Sequence, residues 1–336
     1  MRITKTPLRI TFAGGGSDMK SYYNLHPATC ISATINKYVY VLVKKRFDDK
    51  IYLKYSDNEV VDVNNLDGIK HDFIRETLKF MNVDYGVEII NWADIPTKGT
   101  GLGSSSSFLV GLLLALHTLE GRSVSKESLA TQACYIEINK CEKPIGIQDQ
   151  YAAAFGGFNQ MEFGTNTRRG DYKEVSGFGF CDQEIREISE HLHLFYTGVT
   201  RESKDILNDQ RKNLVTNEEV INVMHSNVEL ANNLCKKLVT KDISFITITL
   251  RQNWELKKKF AGNISNSELD RIYDVATTIG GADAGKIIGA GGGGFFLFWA
   301  DDKKKLKEAL GDYQELPFLI DKYGARVVLN LEQLSW

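Results

Sequence analysis

Cysteine is scarce in this sequence and follows no pattern. The five cysteines stand at 30, 134, 141, 181 and 235, with no C-x-x-C among them. That spacing excludes the usual zinc modules and argues against a disulfide framework; it fits reduced thiols packed as small apolar groups in a cytoplasmic protein. Long apolar runs are missing as well. The most apolar stretch, from Phe108 to Leu116, falls far short of the ~20 residues that a membrane-spanning helix needs. The segment Met1 to Arg9 carries charge without an apolar centre, so no secretory signal is expected. There is no excess of one charge either: the net charge is −2 and both signs are interspersed. A broad nucleic-acid-binding face is therefore excluded, while a local basic pocket for phosphate is not.

What remains is a globular composition, 43% hydrophobic and 25% charged, in 336 residues without internal repeats. Single cores stop growing near ~250–300 residues, so two domains are expected, 1–185 and 186–336. The polar, glycine-rich stretch from Gly164 to Gly179 marks the neighbourhood of the boundary. Residues 37–44 and 86–92 are rich in β-branched and aromatic types and read as strands. A helix is expected from about Ser105, on the stripe Phe108, Leu109, Leu112, Leu113, Leu116 and Leu119. Another is expected from Ser125 to Lys140, opened by a capping-type Ser125–Ser128 pattern. An alternating strand follows at 191–196, then helices at about 216–239, 242–260 and 266–279. The glycine run Gly289–Gly294 precedes a strand at 295–299, a lysine-rich helix and a last strand at 325–331. Without regular βαβ spacing, the fold class is α+β.

The strongest chemical signal is PTKGTGLGSSSS, residues 96–107, between a strand and an apolar helix. Gly99, Gly101 and Gly103 allow tight turns that bring backbone N–H groups close to a ligand. The helix that follows offers unpaired N–H groups and a positive dipole end, and Ser104–Ser107 can bond phosphate oxygens or ligate magnesium. The segment lacks the G-x-x-x-x-G-K-[ST] of a Walker loop, and its spacing does not fit a dinucleotide fingerprint.

This segment resembles the second motif of the GHMP kinases, a family that includes galactokinases and mevalonate kinases. Two further stretches resemble that family's first and third motifs: PLRITFAGGGSD at 7–18 and KIIGAGGGG at 286–294. The resemblance implies a two-domain fold with the active site between domains, ATP as donor and magnesium as its metal. In GIQDQY, residues 146–151, Asp149 matches the catalytic aspartate that would accept or orient the substrate proton. Arg9 matches the basic residue beside it, placed to stabilise charge on the transferring phosphoryl group. Glu137 and Ser105 match the magnesium ligands, with Glu142 as the rival to Glu137. Lys98, Gly99, Gly101, Leu102, Gly103, Ser104, Ser105 and Ser106 would hold the nucleotide, together with Gly291 and Gly292 of the third motif.

Asp18 aligns with a sugar-binding aspartate, in a loop with Gly15, Gly16 and Ser17. Galactokinases carry Gly-Glu-His-Thr-Asp there, and this chain has Gly15 and Gly16 in place of the Glu and His. The bare loop leaves room for a larger or phosphorylated sugar. It resembles the heptose 7-phosphate kinase branch and, less closely, the fucokinases. That implies phosphorylation of the anomeric hydroxyl of D-glycero-D-manno-heptose 7-phosphate, giving a 1,7-bisphosphate for nucleotide-sugar synthesis. A distal phosphate needs a basic pocket, for which Arg201 and Lys143 are candidates. His191 and His193 form an H-x-H, read as structural from its alternation with leucines. The expected partners are a sugar phosphate and ATP, with no nucleic acid and no membrane, and a homodimer left open. Competing readings are a kinase for a free sugar such as fucose, a catalytically silent sugar sensor, and a nicotinamide oxidoreductase disfavoured by spacing.

Overall fold

A computed structural model describes residues 1–96, 99–166, 170–199 and 203–331. Lys98 and Arg201, expected to hold nucleotide and distal phosphate, lie outside these residues. The strands in chain order are β1 (Arg2–Ala13), β2 (Ala28–Lys45), β3 (Lys50–Lys54), β4 (Asn58–Asp62), β5 (Val87–Ala93), β6 (Phe158–Asn166), β7 (Gly170–Gly177), β8 (Leu192–Tyr196), β9 (Ala284–Ile287), β10 (Phe295–Trp299), β11 (Glu315–Leu316) and β12 (Arg326–Asn330). They form two sheets. The larger runs β12-β1-β2-β5-β3-β4, with β6 joining β2 and β7 outside it; the smaller runs β11-β8-β10-β9. Pairing is antiparallel except between β3 and β5. The mixed, mostly antiparallel arrangement with helices packed on the sheets is the expected α+β class.

Strand β2 organises the larger sheet because its length lets it pair twice on one side. Its first part meets β6 (Ala28 opposite Phe163) and its second part meets β5 (Val39 opposite Ala93). The helix Ser104–Leu119 packs on β1 and β2. It is apolar nearly all round, as expected of a helix with little solvent contact. The helices Glu218–Val239 and Phe245–Lys257 pack on each other and on the larger sheet, and the second also covers β9. They bridge the two sheets. Within the expected C-terminal domain, β12 returns to pair with β1, so the two halves are linked at both ends of the chain.

Helix starts follow local chemistry. Asn217 and Asn266 accept backbone N–H groups as N-caps, and Ser125 accepts from Ser128. One expectation needs correction: residues 125–140 are not a single α-helix. The α-helix Lys126–Cys134 widens into a π-helical turn over Tyr135–Lys140. This wider turn carries Glu137, whose carboxylate is gripped by three side chains as described below. Such widened turns are often found at functional positions. The H-x-H is also split: His191 ends the helix Asp182–His191 and stacks on Trp299, whereas His193 lies buried in β8. No described helix is long and apolar enough to cross a membrane.

Candidate active site

Between the two halves lies a cleft of about 300 Å³ lined by residues from all three glycine-rich motifs. The first wall is the end of β1 and the loop after it: Arg9, Thr11, Gly15, Gly16 and Asp18. The second is the expected phosphate loop: Gly99, Thr100, Gly101, Gly103, Ser104 and Ser105. Gln148 and Asp149 form the third, and Gln210, Asn253, Lys257, Lys286, Gly289 and Ala290 close the fourth.

The phosphate loop enters its helix through three left-handed glycines, Gly99 (φ 72°), Gly101 (φ 72°) and Gly103 (φ 77°). Side chains rarely adopt this conformation, and close packing adds a second constraint. A Cβ on Gly101 would stand 2.6 Å from the Ile288 carbonyl oxygen, so the second and third motifs touch main chain to main chain. The helix Ser104–Leu119 then points its N-terminus at the cleft. A second, shorter helix, Gln148–Phe155, also starts there, with Asp149 in its first turn.

Arg9 joins these elements. Its Nε and Nη2 donate to the two carboxylate oxygens of Asp149, each at 2.8 Å, and its Nη1 donates to the Gly101 carbonyl at 2.5 Å. Its own N–H donates to the Leu102 carbonyl at 3.0 Å. A bidentate fork of this kind fixes orientation as well as charge. The Asp149 carboxylate is thereby presented beside the phosphate loop, close enough that a Cβ on Gly103 would lie 3.3 Å from its Oδ2.

Asp18 is held differently. It accepts from the Gly16 N–H (2.9 Å), the Gln148 N–H (3.0 Å) and Gln148 Nε2 (3.2 Å). Gln148 in turn takes the Thr11 hydroxyl at 2.9 Å. Burial pushes the Asp18 carboxyl up to about 6, against the opposing pull of the Gln148 N–H and with a further push from Asp149. The other loop residues divide in role. Gly15 and Gly16 face the cleft, while Ser17 is fully buried and donates to the Gly14 carbonyl at 2.7 Å.

Glu137 is buried behind the phosphate loop. It accepts from Ser105 (2.9 Å), Ser106 (2.8 Å) and Gln150 (2.7 Å), and burial pushes its carboxyl up to about 7 despite these donors. Its rival Glu142 is exposed, with a left-handed φ of 51°. Ser105 alone of the four serines is exposed, and it lines the cleft. A carboxylate and a movable hydroxyl of this kind form a hard-oxygen pair suited to magnesium, which takes one or two protein ligands and fills its shell with phosphate oxygens and water. Leu102 and Ser106 are buried supports, and Ser107 donates to the Pro7 carbonyl at 2.8 Å.

In the third motif the cleft is reached by Gly289 and Ala290, rather than by Gly291 and Gly292. The Gly292 N–H donates to the Ile264 carbonyl at 2.8 Å, and Gly291 packs on Ile264. Lys143 pairs with Asp72 at 2.7 Å and is not among the residues lining the cleft. Thr11, Gln148, Gln210, Asn253, Lys257 and Lys286 line the site without having been singled out from sequence. Thr11, Gln148 and Lys286 stand inside the sequence motifs; Gln210, Asn253 and Lys257 carry no local signature.

Comparison with known proteins agrees with this architecture. Residues 70–157 match the family described as GHMP kinases N terminal domain, and residues 235–316 match GHMP kinases C terminal. A D-glycero-alpha-D-manno-heptose 7-phosphate kinase of Campylobacter jejuni is 32% identical over 94% of this chain and 96% of its own. The crystal structure of a D-glycero-D-manno-heptose 1-phosphate kinase from Bacteroides thetaiotaomicron superposes with a TM-score of 0.79 at 26% identity, covering 99% of this chain and 100% of that one. A Lactococcus lactis galactokinase complexed with galactose shares the fold, with a TM-score of 0.77 at 17% identity over 97% and 94% of the two chains.

Proposed function

Because the chain belongs to the GHMP kinase family, we propose that it transfers the terminal phosphoryl group of ATP to the anomeric hydroxyl of D-glycero-D-manno-heptose 7-phosphate. The products are the 1,7-bisphosphate and ADP. The observation that carries this reading is the Arg9–Asp149 fork, set against the glycine-loop amides in one cleft. In this assignment residues 1–185 supply the phosphate loop and the catalytic pair, and residues 186–336 close over them.

Asp149 orients the acceptor hydroxyl and receives its proton as the new P–O bond forms and the bond to the ADP oxygen breaks. A loose phosphoryl-transfer transition state needs little deprotonation of the nucleophile, so orientation carries most of the effect. Arg9 keeps the carboxylate in place and sets positive charge where the phosphoryl group crosses. The Gly99–Ser105 amides and the helix N-terminus behind them receive the nucleotide phosphates. Ser105 and Glu137 would hold magnesium, which when bound neutralises phosphate charge. Asp18 accepts hydrogen bonds from the sugar; the room expected at Gly15 and Gly16 is partly taken by Gln148 and Met224, which pack where side chains on those glycines would start.

The heptose kinase named among the relatives supports the acceptor assignment, while the related crystal structure carries a name with the phosphate at position 1. The test is ADP release from ATP and magnesium with heptose 7-phosphate, free heptose, fucose and galactose, followed by ³¹P NMR of the product. Turnover of heptose 7-phosphate with a new anomeric phosphate is expected. Turnover of free sugars alone would replace this acceptor with an unphosphorylated one, and ATP binding without ADP release from any sugar would leave a silent sensor.

A further inference from the structure

The cleft holds more buried cationic side chains than its own carboxylates pair with. Arg9 is matched by Asp149, but Lys257 and Lys286, 7% and 3% exposed, form no ion pair among the described residues. Lysine is almost never buried this deeply without a partner, because stripping water from its ammonium group is costly. Lys286 serves the architecture, since its Nζ donates to the Thr11 and Phe12 carbonyls at 3.0 and 3.2 Å and so ties β9 to β1.

Lys257 sits elsewhere, at the end of the helix Phe245–Lys257. Its Nζ donates to the Ile287 carbonyl at 3.1 Å and to the Gly289 carbonyl. An ammonium group has three donors, so one remains. Gly289 lies against Gly101, so closely that a Cβ on it would stand 2.4 Å from the Gly101 Cα, and Gly101 is the residue whose carbonyl Arg9 grips. Lys257 therefore lines the cleft where the second and third glycine loops meet. One helical turn earlier, Asn253 lines the same cleft, as i, i+4 neighbours on one face do. Its Nδ2 donates to Asn227, which holds the Gly14 N–H, while its Oδ1 is buried without a partner.

We propose that Lys257 is a phosphate ligand supplied by the C-terminal half, donating to phosphate oxygens in the cleft beside the contact of Gly101 and Gly289, with Asn253 beside it accepting an acceptor hydroxyl. This rests on the kinase reading and adds a cation that its motifs do not contain. The phosphate is either the terminal phosphoryl group of the nucleotide or the acceptor's own. Burial, with Arg9 adding to it, brings the Lys257 ammonium down to about 7, and burial with Lys257 and Arg9 beside it brings Lys286 well below the usual lysine range. An arriving dianion restores the missing charge.

Calorimetry on Lys257→Gln and Lys257→Arg separates the two sources, with AMPPNP against ADP and heptose 7-phosphate against free heptose as probes. Lys257→Gln is expected to weaken one phosphate-bearing probe about 10- to 100-fold more than its counterpart, and Lys257→Arg to recover much of the loss. A selective loss for AMPPNP identifies the nucleotide's phosphoryl group, and one for heptose 7-phosphate identifies the acceptor's. Equal affinities in Lys257→Gln and wild type for both pairs overturn the proposal. Should the glutamine variant not fold, the wild-type protein decides alone. Binding of AMPPNP or heptose 7-phosphate at pH 8, in buffers of different ionisation enthalpy, is expected to take up protons, and uptake with neither ligand overturns the proposal. Nucleotide binding without turnover of any sugar phosphate would defeat the acceptor assignment while leaving the AMPPNP and ADP comparison intact.

Discussion

Gly146→Ala isolates the side of the cleft assigned to the sugar with a single methyl group. Gly146 has no left-handed φ, so the substitution introduces no backbone strain. Its effect comes from space alone: the new Cβ would stand 1.9 Å from Asp18 Oδ2 and 2.4 Å from Asp18 Cγ. The carboxylate cannot stay there, and its retreat gives up the Gln148 N–H. Overpacking of this kind costs ~1–3 kcal/mol, and a lost hydrogen bond to a charged group adds ~1.5–3 kcal/mol. We expect a drop in melting temperature of several degrees and a weaker KM for the sugar phosphate of tenfold or more. The AMPPNP Kd should move less than about threefold. The double variant Asp18→Ala/Gly146→Ala separates collision from general damage. With the carboxylate gone the methyl group has nothing to strike, so the double variant should be more stable than the sum of the single changes by at least about 1 kcal/mol. Strict additivity, or an unchanged sugar KM in Gly146→Ala, would refute the reasoning.

Asp149→Asn should lower kcat by about 10²–10⁴ while AMPPNP affinity stays within a few-fold; full turnover would remove Asp149 from the chemistry. Gly101→Ala should weaken nucleotide binding, because its φ of 72° and the 2.6 Å approach to the Ile288 carbonyl both oppose a side chain; calorimetry with ADP checks this. Glu137 and Asp18 set a pH dependence. Burial raises both carboxyls, to about 7 and about 6, so the folded chain keeps protons that the unfolded chain has released. Their contribution to stability is therefore greatest below the ordinary carboxylate range and declines as pH rises from ~4 through 6 and 7. At ~1.4 kcal/mol per unit the decline is about 3 kcal/mol for each group. Melting temperatures of wild type and Glu137→Gln, compared from pH 4 to 8 without ligands, should diverge in favour of the variant as pH rises. The same variant should need more magnesium for turnover, and parallel melting curves with unchanged magnesium demand would contradict both points.

Much of this molecule could be read locally. Glycines at 99, 101 and 103 before a serine-tipped apolar helix have few other uses than a phosphate loop, because only glycine accepts that backbone so cheaply. Several helix and strand positions followed from periodicity, including Phe295–Trp299 and the helix ending at Val239. The stretch expected as a polar boundary instead holds most of the β6–β7 hairpin, whose pairing partners are not adjacent in a periodic pattern. The π-helical turn at Tyr135–Lys140 did not follow from periodicity either; it carries Glu137, whose partners Ser105, Ser106 and Gln150 come from distant parts of the chain. Nor could Glu137 be told from Glu142, five residues away, until one was found buried and the other exposed.

The sequence by itself determined the α+β class, the order of the three glycine-rich motifs, and the family to which they belong, because each depends on residues adjacent in the chain. Only the tertiary structure decided which charges face one another. Lys257 stands in a helix that reads as an ordinary amphipathic one, and Asn227 and Asn253 as ordinary surface polar residues; their burial comes from the packing of two helices across β1, β2 and β9. Packing joins positions more than 200 residues apart, and the cost of burying a charge is set by those distant neighbours rather than by the residues beside it in the chain.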